Sequence, residues 1–160
     1  MSMVEIHNSV AKVYEENKET LEIFECLDEF SDTQNFCDHY GFDIEDSCNA
    51  ILIKAKKPEE FYAMFCVLGA NRLDVNHKAK EAMGAKRVSF ASREEAEAVT
   101  GQIYGGISPL GLPENIKVYM DKNVTDREKL FIGAGNRVSK FFLSPETLIQ
   151  LSGATVLDLT

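Results

Sequence analysis

Thr100-Gly101-Gln102-Ile103-Tyr104-Gly105-Gly106-Ile107-Ser108-Pro109-Leu110-Gly111 is the stretch of this sequence that decides its fold and its site. Four of its residues are glycines. Glycine lets the backbone approach a ligand closely, and neighbouring N–H groups can then hold an oxygen atom without any side chain. Pro109 favours an extended Ser108, so the loop should be stiff. The stretch predicts either a ring of N–H donors of the kind used in acyl transfer or an ordinary turn between a helix and a strand.

A second pair of glycines, Gly133 and Gly135, follows a predicted strand and precedes Asn136. Two glycine-rich loops at strand ends could line one cleft, although such a pair also occurs at bulges and tight turns. The spacing fits neither a P-loop nor a dinucleotide-binding fingerprint. The three histidines lie upstream, and nothing marks a nucleophile elbow, so the sequence does not indicate covalent catalysis.

Hydrophobic patterning on both sides of these loops predicts a mixed α/β (α+β) fold. Helix-capping residues and apolar periodicity predict about five short helices, near residues 9–17, 32–41, 74–83, 92–101 and 144–153. About seven strands are predicted between them, including a hairpin of residues 49–55 and 61–68. Because helices and strands alternate irregularly, we expect one domain, residues 1–160, with a mixed central sheet or a partial barrel and the helices outside.

Composition narrows the class of protein further. The chain has 160 residues, 44% of them hydrophobic, which is enough for a core without metal or disulfides. No apolar run approaches the ~20 residues of a membrane span, and Met1 to Glu5 do not begin a signal peptide. The four cysteines form no C-x-x-C pair and are predicted to pack as reduced apolar residues. We therefore expect a cytoplasmic protein with no bound metal, no cofactor and no membrane partner.

Charge is distributed unevenly along the chain, whose net charge is −9. Residues 1–50 carry two basic and 13 acidic side chains, whereas residues 51–160 carry a small positive excess. Any contact with a phosphate backbone must therefore use the later part, because like charges repel. The candidates are Lys54, Lys56, Lys57, Arg72, Lys78, Lys80, Lys86, Arg87 and Arg93.

Taken together, these segments resemble the YbaK/ProX family of aminoacyl-tRNA editing domains, which includes the inserted editing domain of some prolyl-tRNA synthetases. The residues from Thr100 to Gly111 are similar to the family pattern T-G-x-x-x-G-G-[IV]-S-P-[FL]-G. Residues 85–92, residues 133–137 and the closing segment from Ser144 also resemble family motifs. The similarity runs from about residue 20 to the end and weakens before residue 45.

The resemblance implies a deacylase that acts in trans and hydrolyses the ester between a mischarged amino acid and the 3′ end of tRNA. It implies a catalytic role for the backbone around the scissile carbonyl, at Gly105, Gly106, Ile107 and Ser108. By the same match, Thr33 lies near the mouth of the pocket, and Gly133 and Gly135 form its second wall. We add Tyr104, Pro109 and Asn136 to these as candidates for binding the substrate. The implied partners are the aminoacyl-tRNA 3′ end and, in one alternative, an aminoacyl-tRNA synthetase.

One position departs from the family pattern. Many members carry a functional lysine in a strand, and the matching position here is Asn49, which we include among the catalytic candidates. An amide can donate hydrogen bonds but gives up a charge-assisted one. Asn49 and the acidic first third of the chain therefore leave an alternative to the deacylase, a module that keeps the pocket without hydrolysing or with altered specificity. A pocket for a free amino acid or an acyl adenylate is a third hypothesis.

Overall fold

The computed structural model describes residues 4–160, and this part of the chain forms five α-helices and eight β-strands. The helices are α1 (Asn8–Glu16), α2 (Thr33–Tyr40), α3 (Lys80–Met83), α4 (Arg93–Thr100) and α5 (Pro145–Ser152). The strands are β1 (Glu22–Glu25), β2 (Cys48–Lys57), β3 (Phe61–Leu68), β4 (Arg87–Phe90), β5 (Lys117–Asp121), β6 (Leu130–Gly133), β7 (Ser139–Leu143) and β8 (Thr155–Leu157).

Helices and strands alternate irregularly, so the mixed α/β class is confirmed. The strands divide between two sheets and do not form the single central sheet that was one of the two predicted arrangements. The first sheet is antiparallel with the order β1-β7-β6. The second has the order β4-β2-β3-β5-β8, in which β3–β5 and β5–β8 are parallel and the other pairs antiparallel. An isolated parallel bridge between Ser47 and Phe131 joins the start of β2 to β6. The sheets therefore meet at one corner and do not close into a barrel.

The largest group of buried apolar side chains lies between the two sheets. Alternate residues of β2 and β3, such as Leu52 and Met64, pack there with Ile132 and Phe141 of the first sheet. The opposite face of the second sheet has its own core around Phe65. A third, aromatic cluster holds α2 against the outer face of the first sheet. This packing fixes the corner where the sheets meet.

The local signals that bracket the glycine stretch are confirmed. Ser92 and Glu95 form a capping box, in which each side chain bonds the other residue's backbone N–H, so α4 begins where the sequence predicts. Gly101 ends the same helix with φ of +70°, a conformation that glycine adopts without steric cost. The chain therefore leaves α4 directly into the loop.

Two predicted helices differ in detail. The sequence predicts Asn8 or Ser9 as the cap of α1, but the cap is His7, whose ring nitrogen accepts the Ser9 N–H at 3.2 Å. Asp74 caps the third helix as predicted, but residues Val75–Ala79 form a wider π-helical turn before α3. His7 stands in a polar stretch of sequence, which predicts a surface position, but it is half-buried because it packs against Gly135.

The four cysteines are free and buried, as predicted from their apolar neighbours. Among the described residues, no helix combines the length and apolar character needed to cross a membrane. Met1 to Met3, which belong to the amino-terminal stretch used in the signal-peptide prediction, lie outside the described residues.

Candidate functional site

A cavity of about 380 Å³ opens at the corner where the two sheets meet. One wall is the beginning of β2 and the other is the end of β6. The glycine loop covers one part of it, and the start of α2 and a lysine of β7 cover another. The lining residues are Ser31, Asp32, Thr33, Ser47, Cys48, Asn49, Ala50, Ile51, Tyr104, Gly105, Gly106, Ile107, Phe131, Ile132, Gly133 and Lys140.

The wall formed by β2 is an open strand edge. Strand β4 pairs with β2 only from Ile53 onward, so residues 48–51 have no β4 partner. The Leu52 carbonyl points to that side, where it accepts the Ala91 N–H at 3.0 Å. Because alternate residues of a strand direct their N–H and C=O groups the same way, the main chain of Ala50 faces the cavity. Polar backbone groups thus line this wall beside the side chain of Asn49.

The glycine loop and the second glycine pair hold each other through their backbones. Ile103 donates its N–H to the Gly135 carbonyl at 2.9 Å, and Gly135 donates to the Gly106 carbonyl at 2.7 Å. A Cβ atom on Gly106 would overlap the Asn136 carbonyl, and one on Gly133 would overlap the carbonyls of Gly106 and Ile107. These two glycines are therefore required, because the loops approach each other too closely for a side chain. The two loops together line the cleft that the sequence predicts.

Two of the four predicted backbone donors are already used within the loop. The Gly106 N–H donates to the Ile103 carbonyl at 3.0 Å, and the buried Ser108 N–H donates to the side-chain oxygen of Gln102. Within residues 4–160, the N–H groups of Gly105 and Ile107 have no hydrogen-bond partner. The donors that the cavity can offer to an oxygen atom are therefore those of Gly105 and Ile107.

Four predicted site residues lie outside the cavity lining, namely Ser108, Pro109, Gly135 and Asn136. All four are buried, and three of them make hydrogen bonds that hold the loops. The Ser108 hydroxyl accepts the Leu110 N–H, and the Asn136 amide bonds Val138, Ser139 and the Glu5 carbonyl. These residues therefore hold the loops in place and do not face the cavity, because both loops turn inward at these positions.

The other predicted residues do line the cavity. Asn49 is exposed on β2, and within the described chain its side-chain amide has no hydrogen-bond partner. Thr33 is the first residue of α2, at the opposite side. Tyr104 is 49% exposed, and the Arg93 guanidinium lies 5.7 Å from the centre of its ring. An exposed aromatic ring beside an arginine is a suitable surface for stacking a nucleic-acid base.

Lys140 is the important lining residue that the sequence reasoning missed. It lies in the central strand of the first sheet and is only 7% exposed. Its ammonium donates to the Ser31 carbonyl at 3.1 Å. The signal was present in the sequence, since a charged residue in the apolar strand Ser139 to Leu143 is unusual. It was not used because the strand alone does not show which face meets the cavity.

Cys48 is the one thiol among the lining residues, and its surroundings make it a poor nucleophile. The hydrogen bond with Cys66 raises the pKa of the Cys48 thiol well above its usual range, and burial is the second largest cause. The reactive thiolate is therefore not populated near neutral pH. Within residues 4–160, no three side chains of His, Cys, Asp or Glu are grouped so that they could hold a metal ion.

The fold and the cavity together define an α/β domain whose cavity has main-chain N–H groups and one ammonium available for an oxygen-bearing group. The sequence profile of the aminoacyl-tRNA editing domain matches residues 28–151. The chain belongs to this family of aminoacyl-tRNA editing domains.

Similar proteins agree with that assignment. EbsC of Enterococcus faecalis, described as a candidate Cys-tRNA(Pro)/Cys-tRNA(Cys) deacylase, is 30% identical over 92 residues, which are 58% of this chain and 56% of EbsC. The proline–tRNA ligase of Nautilia profundicola is 33% identical over 106 residues, 65% of this chain but 18% of the ligase. The matched part thus spans about half of the first relative and a small part of the second.

A solved structure shows the same fold. The crystal structure of a candidate trans-editing enzyme for prolyl-tRNA synthetase superposes with a TM-score of 0.82, at 24% identity, over 98% of this chain and 99% of that one. At this level of identity the match establishes the fold of the chain.

Proposed function

We propose that this protein is an aminoacyl-tRNA deacylase that acts in trans, in the cytoplasm, on the 3′ end of a mischarged tRNA. Water attacks the ester carbonyl, the bond to the ribose oxygen breaks, and the proton of the water passes to that oxygen. The products are a free amino acid and a tRNA with its hydroxyl restored. The N–H groups of Gly105 and Ile107 receive the carbonyl oxygen as negative charge develops on it.

The observation that carries this proposal is the pair of unpartnered N–H groups of Gly105 and Ile107 at the rim of a cavity in a chain of this family. Ile107 is half-buried, and N–H groups removed from water are almost always paired in folded proteins, so its free N–H beside a cavity indicates a ligand oxygen. Gly105 is exposed, and its free N–H lies two residues away in the same lining. Tyr104 lies next to them and is placed to stack the terminal base. These contacts suit an aminoacyl ester better than a free amino acid.

The direct test is a panel of mischarged tRNAs incubated with the purified protein. We expect release of at least one amino acid well above the rate in buffer. Each tRNA is also tested as its correctly charged form, which should resist hydrolysis if the protein edits. No release from any member of the panel at high protein concentration would contradict the proposal.

Asn49 is expected to contribute a hydrogen bond to the substrate. Replacing it by alanine should lower kcat/KM about tenfold, the effect of losing one hydrogen bond of about 1.4 kcal/mol. Stability should hardly change, because the side chain is exposed and has no partner within the described residues. Asn71→Ala, an exposed asparagine outside the cavity lining, is the matched control. Equal activity of wild type and Asn49→Ala would remove Asn49 from the site.

A second candidate function is a binding module that keeps the cavity without hydrolysis, and the missing charge at Asn49 favours it. Its partner would be an aminoacyl-tRNA 3′ end, an amino acid or a synthetase that supplies affinity for tRNA. Asn49→Lys separates the two functions. If the wild type is a deacylase, Asn49→Lys should lower its rate, because the change removes the amide that is expected to bond the substrate. A gain of deacylation from an inactive wild type would support the binding module.

A basic patch at the far end of β2 is suited to the tRNA stem. It consists of Lys56, Lys57, Lys86 and Arg87, all exposed, and within residues 4–160 none has a carboxylate within ion-pair distance. The Lys86 N–H donates to the Lys57 carbonyl at 2.8 Å, which places the two pairs side by side. Along the strand the patch lies about 25 Å from Asn49, at ~3.3 Å per residue. A stem behind a bound 3′ end could reach it.

Reversing two charges of this patch tests the contact with tRNA. Lys56→Glu/Lys57→Glu should raise KM for aminoacyl-tRNA about tenfold near 0.1 M salt and reduce the salt dependence, because fewer counterions are released. Cleavage of a short aminoacyl-adenosine should be unchanged. Lys12→Glu/Lys18→Glu in α1 and just after it serves as the matched control. An unchanged KM for tRNA would assign the stem to another surface.

A further inference from the structure

Lys140 is held inside the fold by its place in the first sheet. It is opposite Phe24 of β1 and Gly133 of β6, and directly opposite residues of an antiparallel pair share a face. Gly133 has no side chain, so the space beside Lys140 remains open and becomes part of the cavity. The lysine therefore reaches the cavity from the enclosed side, not from solvent.

The ammonium of Lys140 has no acidic partner within ion-pair distance in the described chain. Its contacts are the Ser31 carbonyl at 3.1 Å and the face of Phe36, whose ring centre lies 5.0 Å away. The neighbouring carboxylate of Asp32 is engaged at the start of α2, where both of its oxygens bond Asn35. Burial lowers the pKa of Lys140 from its ordinary value.

Ser31 adds a second unsatisfied group at the same place. It is 2% exposed, and its hydroxyl has no hydrogen-bond partner within residues 4–160. A buried hydroxyl or ammonium without a partner is costly, and a buried charge is normally paired with an opposite one. The ammonium has three donors and uses one of them on a carbonyl. This end of the cavity is therefore prepared for an anionic oxygen atom.

We propose that Lys140 and Ser31 form a carboxylate-binding subsite that selects acyl groups with an acidic side chain, aspartyl or glutamyl, over neutral groups of the same shape. The proposal rests on the proposed function, since the acyl group is that of an aminoacyl ester. The ester then lies toward Gly105 and Ile107, and the side chain extends toward Lys140. One cavity of about 380 Å³ includes both ends.

A phosphate of the tRNA is a poorer occupant of this subsite. Lys140 is 7% exposed, so only the leading part of a ligand can reach it. The side chain of the amino acid is a free end, whereas a phosphate carries chain on both sides.

Binding of non-hydrolysable analogues tests the subsite without any need for catalysis. The probes are 3′-aspartylamido-3′-deoxyadenosine and its asparaginyl counterpart, which differ by one charge and hardly in shape. Calorimetric titration of the wild type should show at least about tenfold tighter binding of the aspartyl probe, as expected for a charge-assisted pair. In Lys140→Met the two probes should bind equally. Lys129→Met, an exposed lysine outside the cavity lining, should keep the preference.

A second variant keeps Lys140 and so protects the test if Lys140→Met does not fold. Ser31→Asp places a carboxylate beside the ammonium, and it should abolish the aspartyl preference by occupying the subsite internally. Equal binding of the two probes to the wild type would overturn the proposal. The proposal would also be overturned if an asparaginyl probe with a 5′-phosphate bound more tightly than the aspartyl probe without one. Lys140 would then bind phosphate.

Hydrolysis separates this proposal from the function on which it rests. If the protein is a deacylase, tRNA charged with aspartate should be cleaved faster than the same tRNA charged with asparagine, and Lys140→Met should remove the difference. An equal loss of rate for both substrates would place Lys140 at the reacting carbonyl and refute the selectivity. A Lys140-dependent binding preference without any hydrolysis would support the subsite and refute the deacylase.

Discussion

Gly106→Ala is expected to lower the free energy of unfolding by about 3 kcal/mol or more, which is at the upper end for overpacking in a protein interior. The new Cβ would coincide with the backbone carbonyl of Asn136, and a backbone atom cannot move aside as a flexible side chain can. Gly106 has no left-handed φ, so the cost comes from space and not from torsional strain. The two glycine loops would have to separate, and the cavity would lose the part of its lining that these loops form.

Chemical denaturation of the wild type and Gly106→Ala measures this effect. Gly69→Ala is the matched control, because Gly69 also lacks a left-handed φ and its added Cβ would meet Ser47 only at 3.4 Å, an ordinary contact. That control should stay within about 1 kcal/mol of the wild type. A Gly106→Ala protein as stable as the control would mean that the loops are not packed backbone to backbone. Deacylation and analogue binding should be lost together with stability.

The position of the cavity was predictable from the sequence because glycine leaves a local signal. The run from Gly101 to Gly111 marks a place where the backbone approaches something, and helix caps such as Ser92 and Gly101 fix where the loop begins. Two apolar runs that bracket a charged segment also predict the hairpin of β2 and β3. Each of these features depends on residues that are close together along the chain.

The parts that could not be predicted depend on contacts between distant residues. Nothing near Gly106 shows that its N–H bonds Ile103 while that of Ile107 stays free. The division into two sheets depends on how β2 and β6 meet at the Ser47–Phe131 bridge, 84 residues apart in the chain. Lys140 and Ser31 form one subsite only because α2 packs over the first sheet.

Charge is distributed differently at the cavity and at the basic patch. The acidic first third of the chain supplies Asp32 at the enclosed end of the cavity, while the basic patch lies at the other end of β2. A tRNA bound along this direction would have its phosphates near the patch and only its acyl group near Lys140. The opposed charges thus favour one orientation of the substrate, which uniform charge would not do.

Gln102→Leu is expected to be nearly as damaging as the change at Gly106, although it alters no glycine. Gln102 is 2% exposed, and its amide donates to the Leu110 carbonyl at 2.9 Å while its oxygen accepts the Ser108 N–H. Leucine fills the same space but leaves both backbone groups buried and unpaired, at about 1–3 kcal/mol each. Stability should fall by about 2–6 kcal/mol. Because Ser108 follows Ile107 directly, the Ile107 donor should also lose its place, and activity should decrease.

Denaturation and analogue binding measure the two effects of Gln102→Leu, and Gln150→Leu on the exposed face of α5 is the matched control. The pH dependence of the stability of Gln102→Glu gives a second test. A carboxyl buried at this position can donate to Leu110 only when it is protonated, so burial and that bond raise its pKa above the ~4.3 of an exposed glutamate. The free energy of unfolding of Gln102→Glu, relative to that of the wild type, should be highest below about pH 4. It should decrease as pH rises through the raised pKa. A difference from the wild type that does not depend on pH would show that Gln102 does not hold the loop through these two bonds.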